Sequence, residues 1–158
     1  MQLNGALNGT GEGLYVGCND ATCIVRDTLI EGNWIHDALP GAHTKNLFLK
    51  DSGGQFWLVT VEHSKRVDLK ALAGVIGAKK LSFGKADDMT AHLGVTPGSV
   101  TPLGVRCDIL NEVRVVLDED LAGADMVYVH PLRNTATIGL SGTDLLRALN
   151  HYKHQPTI

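Results

Sequence analysis

At 158 residues and 16.9 kDa the chain has the length of one compact domain with a sizeable core. Hydrophobic residues make up 44% and charged residues 20%, which excludes a disordered tail, and no apolar run approaches the roughly 20 residues that span a bilayer. A net charge of −3 excludes a general nucleic-acid coat. The charge is unevenly spread: residues 1–44 carry one base and five acids (−4), 45–85 eight bases and three acids (+5), and 86–158 five bases and nine acids (−4). The basic middle is either a local patch for a few phosphates or ordinary solvated lysines.

The opening MQLNGALNGTGEG has neither the basic nor the apolar region of a signal peptide, and Cys18, Cys23 and Cys107 form no CxxC pair. The expectation is a cytoplasmic protein without a disulfide framework. Gly9-Thr-Gly11-Glu-Gly13 resembles a dinucleotide loop only faintly, because no strand can precede it so near the terminus. Thr22 to Arg26 reads as a strand and Thr28 to Leu39 as a helix.

From residue 45 the signals sharpen. Asn46–Lys50 and Gln55–Glu62 are apolar, β-branched and aromatic runs separated by Asp51-Ser-Gly-Gly54, the pattern of a hairpin. Asp68 to Ile76 reads as a helix with Leu69, Leu72, Ala73 and Ile76 on one face and Gly77 as its stop. Leu81–Phe83 reads as a short strand, and Ala86–Leu93 as a second helix closed by Gly94. The stretch 94–104 holds three glycines and two prolines, which excludes a regular element. Val113–Leu117 predicts a strand, 118–124 a turn or short helix, and Met126–His130 and Ala136–Leu140 two further strands. Ser141-Gly-Thr-Asp144 opens a final helix like a capping box. The alternation predicts a single α/β domain over 1–158, with a mixed, largely antiparallel sheet flanked by helices.

Standard catalytic signatures are absent: there is no GxSxG, HExxH or GxxxxGK[ST]. Cys18, Cys23, His36 and His43 fit no standard zinc spacing, so no metal is expected. His151 and His154 read as solvated residues near the C-terminus. Three polar segments remain. Gly41-Ala-His-Thr-Lys-Asn46 precedes a buried-looking strand, although a lysine at a strand mouth is often a snorkelling surface residue. The 94–104 loop offers amides for an oxyanion or phosphate, or is a plain crossover. His130-Pro-Leu-Arg-Asn134 follows an apolar strand, or holds a histidine satisfied within its own turn.

Together these segments resemble the free-standing prolyl-tRNA editing family, relatives of YbaK and of the editing insertion domain of bacterial prolyl-tRNA synthetases. The resemblance is carried, in order, by Thr44–Asp51, Val67–Leu72, Lys80–Phe83, Leu93–Pro102, Val115–Asp118 and His130–Thr137, about two-thirds of the chain. It implies a hydrolase that removes a wrongly attached amino acid, most often alanine, from the tRNA for proline. It assigns Lys45 and Gly98 to catalysis, and Thr44, Asn46, Ser99, Val100, Thr101, Pro102, His130 and Asn134 to the substrate. Residues 98–102 correspond to the family's GxxxP loop. Partners implied are the acceptor end of a mischarged tRNA and, in passing, prolyl-tRNA synthetase or an elongation factor; no cofactor, metal or membrane is implied. The family's His-Pro-Pro strand and acidic helix are not recognisable in residues 1–40, and Gly41-Ala42 replaces a glycine pair. Cysteinyl-tRNA deacylation, an inactive tRNA-binding module and a metal-dependent hydrolase are the rival functions.

The chemistry fits the missing triad. An aminoacyl ester beside a ribose hydroxyl and an ammonium group is already activated. An enzyme need only hold the ester, place a water and stabilise the oxyanion. The resemblance suggests that the ribose hydroxyl assists the water. A pocket near His130 and Asn134 is expected to be small and largely apolar, accepting alanine and excluding proline by size.

Overall fold

The computed structural model describes residues 41–158. The expected strand at 22–26 and helix at 28–39 lie outside the described residues, as do Cys18, Cys23 and His36. Among the described residues six strands form one mixed sheet in the order β4-β2-β1-β5-β6, with β3 also against β1. The strands are β1 (Ala42–Asp51), β2 (Phe56–Glu62), β3 (Leu81–Phe83), β4 (Val113–Leu117), β5 (Val127–Val129) and β6 (Ile138–Leu140). The pairings β1–β2, β1–β3 and β5–β6 are antiparallel, whereas β1–β5 and β2–β4 are parallel.

The hairpin forms because Asp51 closes its own turn. Its Oδ1 accepts from the amides of Gly53 (2.8 Å) and Gln55 (3.0 Å), and Gly54 takes φ +92°. The following register runs from Lys50↔Phe56 to Thr44↔Glu62. The pleat then sorts side chains between two cores. Phe48, Leu58, Val113, Val115, Val127 and Val129 build the larger, together with Leu93, Val105, Leu121 and the inner face of the last helix. Leu49, Trp57, Val59, Leu81 and Val116 build the smaller, under Leu69, Leu72, Ala73 and Ile76.

Among the described residues four α-helices cover these faces: α1 (Leu69–Ile76), α2 (Ala86–Leu93), α3 (Glu119–Ala122) and α4 (Gly142–His151). Asp68 caps α1 through the amides of Lys70 and Ala71, and Gly77 ends it at φ 67°. Ser141 caps α4 by accepting from Asp144 N at 3.0 Å. No helix among the described residues is long and apolar enough to cross a membrane.

Two expectations need correction. The 94–104 stretch is not wholly irregular, because a 3-10 helix spans Pro102–Cys107. Thr101 caps it, and Pro102 sits at its start, where no backbone donor is needed. His154 is not solvated. It is only 4% exposed, with Nδ1 3.1 Å from Val113 O and Nε2 3.2 Å from Asp108 O, so it ties the C-terminal tail to the sheet. His151 is exposed, as expected.

Candidate functional site

The site starts from an interruption in the sheet. One edge of β1 is lined by β2 along nearly its whole length. On the other edge β5 pairs only at Ala42 and His43, and β3 only at Leu49 to Asp51. Residues 44–48 therefore have no strand on that edge among the described residues, and the sheet forks there. Ala42 N donates to Met126 O (2.9 Å), and Phe48 O accepts from Gly84 N (2.9 Å), so both point to the fork side. Main-chain groups alternate along a strand, so those of Asn46 face the fork as well.

A polar relay frames this opening. The Thr44 hydroxyl donates to Tyr128 O at 2.9 Å, where the β1–β5 ladder ends. That hydroxyl can then only accept from Asn46, whose Nδ2 lies 3.4 Å away. The Asn46 amide is thereby turned so that its Oδ1 accepts from the Thr60 hydroxyl at 2.9 Å. Thr60 is fully buried on β2, opposite Asn46 in the register. Sequence reasoning gave Thr60 no role; the available signal was a lone hydroxyl within the run Phe-Trp-Leu-Val-Thr-Val.

Loop 98–102 and segment 130–134 meet. Gly98 adopts φ +87°, and a Cβ built on it would stand 3.6 Å from Asn134 Nδ2. Leu132 also takes a left-handed conformation, φ 65°, uncommon for a leucine. It packs on the larger core while Asn134 remains exposed beside Gly98. His130 is held by its own turn, with Nδ1 3.0 Å from Ala136 O. Ser99, Thr101 and Pro102 are buried, and Val100 packs against the larger core.

Lys45 sits on the other side of the pleat, with Leu47, Leu49 and its cross-strand partner Val61. Its ammonium donates to His63 O (3.3 Å) and to Lys65 O in the loop after β2. No hydrogen bond or ion pair joins Lys45 to loop 98–102 or to His130 among the described residues. Extending the β1–β5 register by two residues, from His43↔Tyr128, aligns Lys45 with His130. The rings of His43 and Tyr128 stack at 5.1 Å one step before that level.

The loop that receives Lys45 is itself charged. Lys65 Nζ lies 2.7 Å from Asp118 Oδ1 and 2.6 Å from Asp120 Oδ2. Hydrogen bonds to Asp118 and then to Asp120 raise the Lys65 ammonium above the ordinary lysine value. Burial pushes the Asp118 carboxyl up, but Lys65 and the amides of Glu62 and Asp120 outweigh it and hold it below the usual carboxylate value.

Other features lie apart from this region. His92, Asp108 and Glu112 bring their donor atoms within 4.8 Å of one another. Those atoms are engaged: Asp108 accepts from the amides of Glu112 (3.1 Å) and Val113 (2.7 Å), and His92 meets Glu112 at 3.4 Å. Two open concavities, of about 760 Å³ along α4 and about 340 Å³ beside the C-terminal tail, touch none of the predicted site residues.

Residues 35–148 match the family model described as the aminoacyl-tRNA editing domain, and the chain belongs to that family. It is 46% identical over 102 residues to the prolyl-tRNA editing protein ProX of Acetoanaerobium sticklandii, a match covering 64% of this chain and 62% of that protein. It is 42% identical over 125 residues to the prolyl-tRNA synthetase associated domain-containing protein 1 of Bos taurus, covering 76% of this chain and 72% of that one. Its fold matches a solved structure provisionally described as a trans-editing enzyme for prolyl-tRNA synthetase, with a TM-score of 0.57 and 23% identity over 68% of this chain and 65% of the other.

Proposed function

We propose that this chain is a trans-acting deacylase that hydrolyses the ester of mischarged tRNA for proline, with alanyl-tRNA as its main substrate. The carrying observation is the family match over residues 35–148, which contains every site residue named from sequence. The relative named a prolyl-tRNA editing protein points to the same tRNA.

In this reading the 3′ end of the tRNA lies along the fork beside residues 44–48. Among the described residues no strand lies on that edge, so a ligand there meets the main-chain groups of β1 directly. Water attacks the ester carbonyl carbon, the carbonyl oxygen becomes an oxyanion, and collapse expels the ribose oxygen, which takes up a proton as the free amino acid departs. Main-chain donors of loop 98–102 stabilise the oxyanion, and Lys45 positions the terminal phosphate or ribose as a cation rather than acting as general base. His130 and Asn134 are assigned to the amino-acid end of the ester.

A separate enzyme is useful because one or two methylenes change binding by only about 1–3 kcal/mol, so a pocket sized for proline admits alanine. The test is a deacylation panel with alanyl-, cysteinyl- and seryl-tRNA. Selective loss of the alanyl ester supports the proposal, and preference for the cysteinyl ester moves the chain to a YbaK-like activity. Binding of tRNA with no hydrolysis of any ester makes it an inactive binding module. Full activity after chelation eliminates the metal-dependent alternative.

A further inference from the structure

The Lys45 ammonium owes its place to a loop that has little hydrophobic anchoring. His63 and Ser64 are exposed, and the two carbonyls that receive Lys45 belong to His63 and Lys65. What fixes that loop is largely polar. His63 N donates to His43 O (2.9 Å), the Ser64 amide to Glu62 Oε2 (2.9 Å), and the Glu62 amide to Asp118 Oδ2 (3.3 Å). Asp118 is itself rigid: its amide donates to Thr60 O at 2.9 Å, its carboxylate caps α3 through Asp120 N, and its side chain is only 10% exposed. Lys65 closes the circuit by bridging Asp118 and Asp120 at 2.7 and 2.6 Å.

We propose that Lys65 and Asp118 form a latch that positions Lys45, so that both are positioning residues for the deacylation although neither meets the ester. An ammonium has three donors. Two are taken by carbonyls that the latch holds still, which confines the side chain of Lys45 and leaves one donor for substrate. Without the latch those carbonyls drift, and the cation samples positions in which that donor misses its target. The Lys65 side chain is 41% exposed, and such ion pairs add little to global stability. The latch should therefore be visible in rate more than in unfolding. The inference rests on the proposal that Lys45 contacts substrate.

The test compares wild type, K65M, K65R, D118N, K45A and the double variant K45A/K65M in single-turnover deacylation of alanyl-tRNA for proline. K65M and D118N should each slow the step at saturating enzyme by about 3- to 10-fold, as expected when positioning rather than a reacting group is lost. The enzyme concentration for half-saturation should hardly move, and K65R should recover most of the rate because a guanidinium can also bridge the two carboxylates. In the K45A background, adding K65M should change nothing further. An equal fold-loss with and without Lys45, or a loss in K65M unmatched in D118N, shows that Lys65 meets tRNA itself and overturns the latch. Wild-type rates in both K65M and D118N, with K45A inactive, overturn the latch and leave the role of Lys45 standing. A fully active K45A overturns both. If no ester is hydrolysed, hydrogen exchange of the Lys45 ammonium by ¹⁵N NMR decides separately: faster exchange in D118N supports the latch, and unchanged exchange refutes it.

Discussion

The two faces of β1 carry the candidate site in different ways. On one face Thr44 and Asn46 join a short relay with buried Thr60 and Tyr128 O, beside the larger core that also holds Val100 and Leu132. On the other face Lys45 reaches out to carbonyls of an exposed loop held by an ion pair. Three consecutive residues that read as one cluster in sequence are thus split by the pleat into a buried, neutral set and a peripheral, charged one. The neutral set is built for fixed direction, because its hydroxyls and amide have single allowed donor-acceptor roles. The charged arm is built for reach, and its geometry depends on distant groups.

The contrast is broken most severely by removing the cation. Lys45→Ala is expected to lower alanyl-tRNA hydrolysis by on the order of 10²-fold or more, as for loss of a positioned transition-state contact. Wild-type-like turnover would remove the charged face from the mechanism. Next comes Gly98→Ala, which puts a Cβ on a residue at φ +87° and toward Asn134. We expect about a 10-fold slower rate together with about 1 kcal/mol of lost stability, read by single-turnover kinetics and urea unfolding. A rate equal to wild type would mean that the shape of the 98–102 loop is not used.

Thr60→Val keeps the shape of the buried side chain and deletes its hydroxyl. Asn46 Oδ1 then loses its donor, so the amide can turn, at a cost of about 1 kcal/mol in stability and about 3-fold or more in rate. An unchanged rate with lowered stability would reduce the relay to a structural feature. His154→Ala is the counter-case, lying far from both faces. It should destabilise the fold by about 1–3 kcal/mol, because at least one of the buried carbonyls of Val113 and Asp108 loses its donor, while leaving the deacylation rate of the folded protein unchanged.

The smallest expected effect is on pH. The Asp118 carboxyl is held below its usual value in the folded chain, so its stabilising contribution is present above the unfolded value of about 3.9 and is lost as pH falls through the lower folded value. Acid unfolding of D118N should show a shallower loss of stability below about pH 4 than wild type. Parallel curves for the two proteins would show that Asp118 is not the group responsible.

Much of this architecture was legible before any coordinates. Capping residues and apolar spacing gave α1 between Asp68 and Gly77 and α2 up to Gly94, and β3 and β4 occur over the residues read as strands. These are local features, set by backbone preference and by which side of a short segment is apolar. The end of the 94–104 stretch is regular although its composition argues otherwise, since proline is compatible with the opening of a 3-10 helix. The burial of His154 is not legible locally, because it depends on carbonyls 41 and 46 residues away in the chain.

The sequence by itself determined most of the strands and helices between residues 41 and 158, the two turn glycines that end α1 and α2, and the list of polar segments left over once a core had been drawn. The juxtaposition of Gly98 with Asn134, the points where β5 and β3 stop along β1, and the path from Asp118 through Lys65 to Lys45 were decided only in three dimensions. Each joins groups separated by 20 to 53 residues or more, and no local preference encodes such distances. They depend on how both cores pack.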